Sequence, residues 1–412
     1  MASSQPPAYW RAYALLAALA LTLLIVGAAV TRVWVLTAIL VGFLFGFFLQ
    51  KGSLCGAAAL SEVMVFRDRA KVAGIWVAIV VSMIGFAAIE AAGWVQLAPK
   101  PMIWVSALVG GVVFGVGTVL AGGCVSGCLF KAAEGNLNSM AALGGIALGV
   151  GMVETGPLHP LHAAMMSYVV KGPGGKPVTL GTLTGMPYWL LALLIAGVTG
   201  AVVVWQRQRR GPNPIRPDTV PKPVLTRAWK PWQAGLAIGL LAVPAYLSSA
   251  ATGRNYPLGV THGVLQTYEL LTETQVRHVW RAPLAPPPAP VAASAHTAPP
   301  ADAPASAAPP LKVINWWLVL VVLALPLGSW VSARLGGPVT LTPRPPEQTV
   351  TAFFGGVLVG IGAAFATGCV VGNILSGWAL MSVGMLIFGV ATALGNWAAS
   401  YVYLAGGNPF RS

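Results

Sequence analysis

The sequence predicts an all-α polytopic membrane protein with about ten transmembrane helices, four short broken or re-entrant helices between them, and an internal repeat of inverted topology. Three observations lead there. Charged residues make up only 8% of the 412 and apolar residues 56%, with mean hydropathy +0.76, whereas a soluble domain carries about 25% charge. Apolar runs of about 20 residues, the length of one crossing, recur along the chain. One spacing, Gly-x3-Gly-x8-Cys, occurs three times.

Taken in order, the run at 12–30 follows Arg11 and is long enough to span. It lacks a small-residue cleavage site and reads as an uncleaved first helix, not a signal peptide. Further crossings are expected at 32–50, 71–94, 102–121, 138–157, 187–205, 232–250, 313–334, 350–367 and 379–404. Four stretches have a helical pattern but are too short to span: 55–66, 124–135, about 259–275, and 369–377. Each follows a glycine-framed helix, so the repeating unit reads as long helix, glycine break, short helix, long helix. Units one and two form a first membrane half at 1–205, and units three and four a second at 232–412, with a basic connector at 206–231. The first helices of units one and three are five crossings apart. An odd number inverts one half relative to the other, the organisation of many secondary transporters.

Arg207, Arg209, Arg210, Arg216, Lys222, Arg227 and Lys230 fill the connector. The positive-inside bias places it in the cytoplasm, and the crossing count then places both termini there. This bias accounts for most of the net charge of +14; the remainder would draw an anion toward the mouth of a pathway. Residues 282–310 are almost all Ala and Pro and cannot bury enough surface to fold, so an extended, partly disordered periplasmic loop is expected. The GPGGK run at 172–176 lacks the Ser/Thr and the strand–helix setting of a phosphate loop, and reads as a turn.

The repeated frame is Gly42, Gly46 and Cys55; Gly111, Gly115 and Cys124; Gly356, Gly360 and Cys369. A fourth copy runs from Gly235 and Gly239 to Ser248. Paired glycines four apart let helix backbones approach closely. Glycines just before the cysteines, Gly52, Gly122, Gly123 and Gly368, allow the chain to break. Broken backbone at membrane depth is tolerated only where protein buries it or it lines a cavity. A helix opening at such a break aims unpaired N–H groups and its positive dipole end inward, which suits an anion. Gly56, Gly123, Gly127, Gly368, Gly372 and Ser248 are therefore expected to support the site around Cys55, Cys124 and Cys369. A lone membrane cysteine is ordinarily a small apolar filler; three at one repeat position are not. Cys128 lies outside the frame and keeps the filler reading. Four cysteines, three of them so framed, are no disulfide scaffold, and no histidine pair accompanies them at zinc spacing, so neither metal nor cofactor is expected.

Glu62, Glu134 and Glu269 fall in or near the short helices. Ionisable groups there are functional candidates by default, or interfacial partners of Arg67, Lys131 and Arg277. Arg254, after Ser248 and Ser249 in the cysteine-less unit, offers an anion a guanidinium. Asn373 and Asn396 read as interhelical hydrogen-bonders and His262 as structural.

At KGSLCGAA (51–58), GxGxxxAGGCxxG (115–127) and ATGCVVGNILSG (366–377) the sequence resembles the YeeE/YedE family of bacterial inner-membrane proteins with sulphur-transport domains. That resemblance implies import of thiosulfate, passed by hydrogen bonds between the thiols of Cys55, Cys124 and Cys369 along a narrow path. It also implies a small cytosolic TusA-like sulfur carrier as a partner. Some members are linked instead to selenium metabolism. The 282–310 loop and Cys128 have no counterpart in the family pattern. A thiolate would repel a dianion, so hydrogen bonding calls for the neutral thiol and no covalent step. A soft-metal carrier would need thiolates with methionines beside them, and only Met64, nine residues past Cys55, stands so near. A membrane sulfurtransferase or thiol oxidoreductase would need a resolving pair, for which Cys124 and Cys128 are the local candidates.

Overall fold

The computed structural model describes residues 10–31, 33–209, 223–273, 276–280 and 312–403. In chain order the helices are α1 (Trp10–Thr31), α2 (Thr37–Lys51), α3 (Gly56–Val65), α4 (Ala70–Ala91), α5 (Trp104–Leu120), α6 (Val125–Ala133), α7 (Leu137–Glu154), α8 (His159–Met166), α9 (Leu180–Thr184), α10 (Tyr188–Arg209), α11 (Pro231–Ala251), α12 (Thr261–Thr272), α13 (Trp316–Gly336) and α14 (Pro346–Phe365). A π-helical stretch, Val370–Ser376, then leads through α15 (Gly377–Ala379) to α16 (Val383–Tyr403). Two small strand pairs lie outside the bundle: β1 (Met102–Ile103) antiparallel to β2 (Val169–Val170), and β3 (Val276–Val279) parallel to β4 (Lys312–Asn315). Among the described residues ten segments are long and apolar enough to cross a membrane, as the hydropathy predicts. Most of the basic connector (210–222), all of the 282–310 loop and the C-terminal end lie outside the described residues.

Glycine decides which helices touch. Gly42 and Gly46 of α2 bring its backbone onto Val321 and Leu325 of α13, while Gly235 and Gly239 of α11 lie on Gly74 and Ala78 of α4. Gly111 and Gly115 of α5 meet Phe388 and Thr392 of α16; Gly356 and Gly360 of α14 meet Ala142 and Ile146 of α7. In each pair both helices advance together, so all four contacts are parallel. A Cβ at any of these glycines would collide with the facing backbone, which is the small-residue packing expected of membrane helices. The four pairs exchange with one another when the halves are swapped.

The self-pairs show the inversion. Gly110 of α5 lies against Ala366 just past α14, while Gly355, midway along α14, lies against Ala121 just past α5. These two equivalent helices cross antiparallel, so the breaks that follow them open at opposite ends of the bundle. Aromatic pairs fill two of the parallel seams, with Phe114 of α5 against Phe388 of α16 at 5.6 Å and Phe86 of α4 against Tyr246 of α11 at 5.1 Å between ring centroids. Helices α1 and α10 stand outside this arrangement, with only 6% of each apolar stretch buried; their apolar faces are left for lipid.

Candidate functional site

All four glycine-framed helices stop in the same way. The second residue past the end has a left-handed φ: Ser53 (45°), Gly122 (68°), Gly253 (87°) and Thr367 (53°). Backbone bonds close three of these stops, from Leu54 N to Leu49 O (2.9 Å), Arg254 N to Ser249 O (3.1 Å) and Gly368 N to Ala363 O (2.7 Å), which is the Schellman pattern. Ser53 and Thr367 hold a conformation that costs a non-glycine residue roughly 1–2 kcal/mol. Two residues later comes the cysteine. Cys55, Cys124 and Cys369 are extended and cap α3, α6 and the π-helical stretch, which begin at the next residue.

The fourth unit departs from the sequence frame. The left-handed residue falls eleven positions after Gly42, Gly111 and Gly356, but eighteen after Gly235. Helix α11 therefore continues two turns further, and Ser248 stays inside it. There its hydroxyl accepts from Trp317 Nε1 at 2.8 Å and meets Thr37 Oγ1 at 2.5 Å. The position equivalent to the cysteines is Asn255, directly after Arg254.

Breaking a helix frees carbonyls that lipid cannot satisfy. Side chains take them. Lys131 Nζ donates to Gly122 O (2.6 Å), Asn373 Nδ2 to Ala366 O and Gly368 O (2.9 Å each), and the Tyr256 hydroxyl to Gly372 O (2.6 Å). Asn373 thus fastens its own break and does not join two spanning helices as expected. Asn396 does join them, donating to Thr118 Oγ1 at 3.1 Å. Sequence reasoning missed Lys100, whose ammonium donates to Thr367 O at 2.5 Å and Asn373 Oδ1 at 2.9 Å. The available signal was a lysine between prolines and apolar residues at 98–102, at the edge of a crossing.

The structure brings the breaks together. Cys55 and Cys124 share one end of the bundle and their thiols flank one glycine: the missing Cβ of Gly127 lies 2.5 Å from Cys55 Sγ and 3.5 Å from Cys124 Sγ. Cys124 Sγ is also 3.4 Å from Ser126 Oγ. The break of Cys369 reaches in from the opposite end. The missing Cβ of Gly56 lies 2.5 Å from Val370 Cγ1, so residues next to Cys55 and next to Cys369 touch. Between them is an apolar cavity of about 30 Å³ whose lining includes Leu54, Gly56, Ser126, Val370 and Val371. That is room for about one water molecule and for no larger solute. Gly372 faces open space and Gly123 lies beside Cys128 Sγ, 3.3 Å from its missing Cβ. All four cysteines are free and buried.

Glu62 pairs with Lys71, not the expected Arg67. Glu134 accepts from Gln50 Nε2 at 3.0 Å, and Glu269 is buried on α12. At the Cys55 and Cys124 end a cleft of about 290 Å³ is lined by residues including Gly122, Lys131, Asn136, Asn138 and Arg344. Among the described residues no three His, Cys, Asp or Glu side chains are grouped to hold a metal ion.

Comparison with known proteins adds a family. The family described as Sulphur transport matches residues 51–398. The thiosulfate transporter TsuA of Spirochaeta thermophila is 28% identical over 379 residues, covering 89% of this chain and 98% of that protein. Its Escherichia coli K12 namesake is 26% identical over 374 residues, covering 89% and 94%. The probable transporter YedE of Escherichia coli K12 is 33% identical over 104 residues, or 24% of this chain and 25% of that protein.

Proposed function

Since this chain belongs to the sulphur-transport family, we propose that it is a permease that imports a small sulfur-containing anion, thiosulfate foremost, across the bacterial inner membrane. The observation that carries this reading is the meeting of the breaks: Cys55 and Cys124 from one end and Cys369 from the other, with Gly56 against Val370 between them. Two relatives of nearly full coverage bear the name thiosulfate transporter.

In this reading the neutral thiols of Cys369, Cys124 and Cys55 donate S–H hydrogen bonds to the anion in turn, and no bond to sulfur is made or broken. The N-termini of α3 and α6 favour negative charge at the inner pair. Passage requires the first turn of α3 to separate from Val370, so transport is gated by a shift of the two breaks. The Cys369 end is periplasmic and the end carrying Cys55, Cys124, Lys131 and both termini is cytoplasmic. A TusA-like sulfur carrier would collect the anion on that face. A soft-metal cargo is less well supported, because the three framed thiols stand at two opposed ends.

The test is growth of a sulfate-uptake-deficient bacterium on thiosulfate as sole sulfur source. The wild-type chain should restore growth. No growth from well-expressed protein would remove thiosulfate as the substrate, leaving selenium compounds to be tried.

A further inference from the structure

We propose that the cleft at the Cys55 and Cys124 end of the bundle is an inhibitory site for a small divalent oxyanion, sulfate being the simplest, which fills it from the cytosol and slows thiosulfate import. The site is argued from the cleft itself; its cytosolic side and its effect on import rest on the transport reading.

The cleft is built by docking one connection onto another. Gly135, between α6 and α7, has a left-handed φ of 91°. Its missing Cβ would stand 2.5 Å from Thr340 O, so glycine lets the α13–α14 connection lie directly on this turn. Thr342 N then donates to Gly135 O at 3.0 Å, and Thr342 pairs with Asn136 in a parallel bridge. This docking carries Arg344, two residues on, to the same cleft that Lys131 lines from α6. Gly122, Asn136, Asn138 and Gln348 share the wall.

The charged residues on that wall, Lys131 and Arg344, are both cations. Glu134, the next carboxylate along from Lys131, turns instead to Gln50 Nε2 at 3.0 Å. Arg344 makes no hydrogen bond or ion pair to the described residues. Asn138 Oδ1 accepts from Thr349 Oγ1 at 2.8 Å, which leaves its amide N–H groups for a ligand. Helix α7, 18 residues long, opens beside them; Asn136 Oδ1 caps Ser139 N, while the amides of Leu137 and Asn138 have no partner within the helix. A guanidinium fork, a compact ammonium and amide N–H groups at a helix start suit the oxygens of one small anion.

At about 290 Å³ the cleft takes such an anion together with several of its waters, whereas the apolar cavity between the breaks has room for about one. Its donors read charge and oxygens, not a terminal sulfur, so sulfate fits as well as thiosulfate does. The cleft also adjoins the inner thiols. Gly122 on its wall lies two residues before Cys124, and Lys131 donates back to Gly122 O at 2.6 Å. A dianion here stands at the way out of the Cys124 break and repels the next dianion that approaches it. Import therefore slows as the cytosolic oxyanion accumulates.

The experiment loads right-side-out membrane vesicles carrying the full-length protein with sulfate and measures initial uptake of radiolabelled thiosulfate. Wild-type uptake should fall as luminal sulfate rises. Arg344→Gln should raise the sulfate concentration for half-inhibition by about tenfold, the usual effect of losing one charged hydrogen bond, while Arg344→Lys should keep most of the inhibition. Arg344 is exposed, so both variants should melt at the wild-type temperature. In parallel, radiolabelled sulfate is dialysed against the purified protein in neutral detergent, where the part of the binding lost in Arg344→Gln reports the cleft. Equal half-inhibition in wild type and Arg344→Gln overturns the proposal. So does displacement of the Arg344-dependent sulfate by phosphatidylglycerol, which would give the cleft to a lipid phosphate. Arg344-dependent binding in a protein that takes up no thiosulfate supports the site and sinks the transport reading. Uptake with neither Arg344-dependent binding nor luminal inhibition does the reverse.

Discussion

The sulfur of Cys55 stands 2.5 Å from the point that a methyl group on Gly127 would occupy, and the sulfur of Cys124 stands 3.5 Å from the same point. A glycine in the first turn of α6 thus holds open the space between two thiols contributed by different units. Gly127→Ala would drive a methyl group into it. Alanine favours a helix by roughly 0.5–1 kcal/mol over glycine, so this variant should fold. Its thiosulfate uptake should fall by about tenfold or more, the scale of a displaced contact of 1.4 kcal/mol or above. Uptake equal to wild type, with an unchanged melting temperature, would show that the thiols do not need this gap.

The role of the thiols as donors separates alanine from serine. Cys55→Ala, Cys124→Ala and Cys369→Ala should each abolish growth on thiosulfate, while Cys128→Ala should leave it intact. Serine at the framed positions keeps a donor and should restore partial uptake. A persulfide trapped on the purified protein, together with loss of activity in Cys128→Ala, would instead establish a sulfurtransferase.

Contact between the two opposed breaks can be locked. The missing Cβ of Gly56 lies 3.2 Å from Val370 Cβ, near the roughly 3.5–4.5 Å between Cβ atoms in disulfides. Gly56→Cys with Val370→Cys should cross-link under oxidation and stop uptake, and a reducing agent should restore it. Transport that continues in fully cross-linked protein would mean that the anion travels elsewhere.

Asn373 should prove structural. It is fully buried, donates to two carbonyls freed by the break, and accepts from Lys100. Asn373→Leu strands those groups, and at about 1–3 kcal/mol for each buried polar group left unsatisfied the variant should melt several degrees lower. An unchanged melting curve would show that water replaces the side chain.

Some of the site was legible because it is written locally. The left-handed stops at Ser53, Gly122 and Thr367 and the cysteines that follow them lie within a few residues of one another, so spacing alone placed Cys55, Cys124 and Cys369 at helix breaks. Ser248 was misplaced for the opposite reason. The frame assumed that α11 stops where its counterparts do, yet its register along α4, from Gly235 on Gly74 to Val243 on Gly85, carries it two turns beyond. Lys100 was missed because its partners, Thr367 and Asn373, are more than 260 residues away.

By itself, the sequence determined the membrane class, the ten crossings and the repeated glycine and cysteine frame, since hydropathy and backbone freedom act over one or two helical turns. Only the tertiary structure decided which glycine meets which backbone, that the breaks after α5 and α14 open at opposite ends, and that Lys100 reaches Thr367 and Asn373 at the third cysteine's break. Those outcomes depend on close packing between helices remote in the chain, where a contact exists only once both surfaces have been placed.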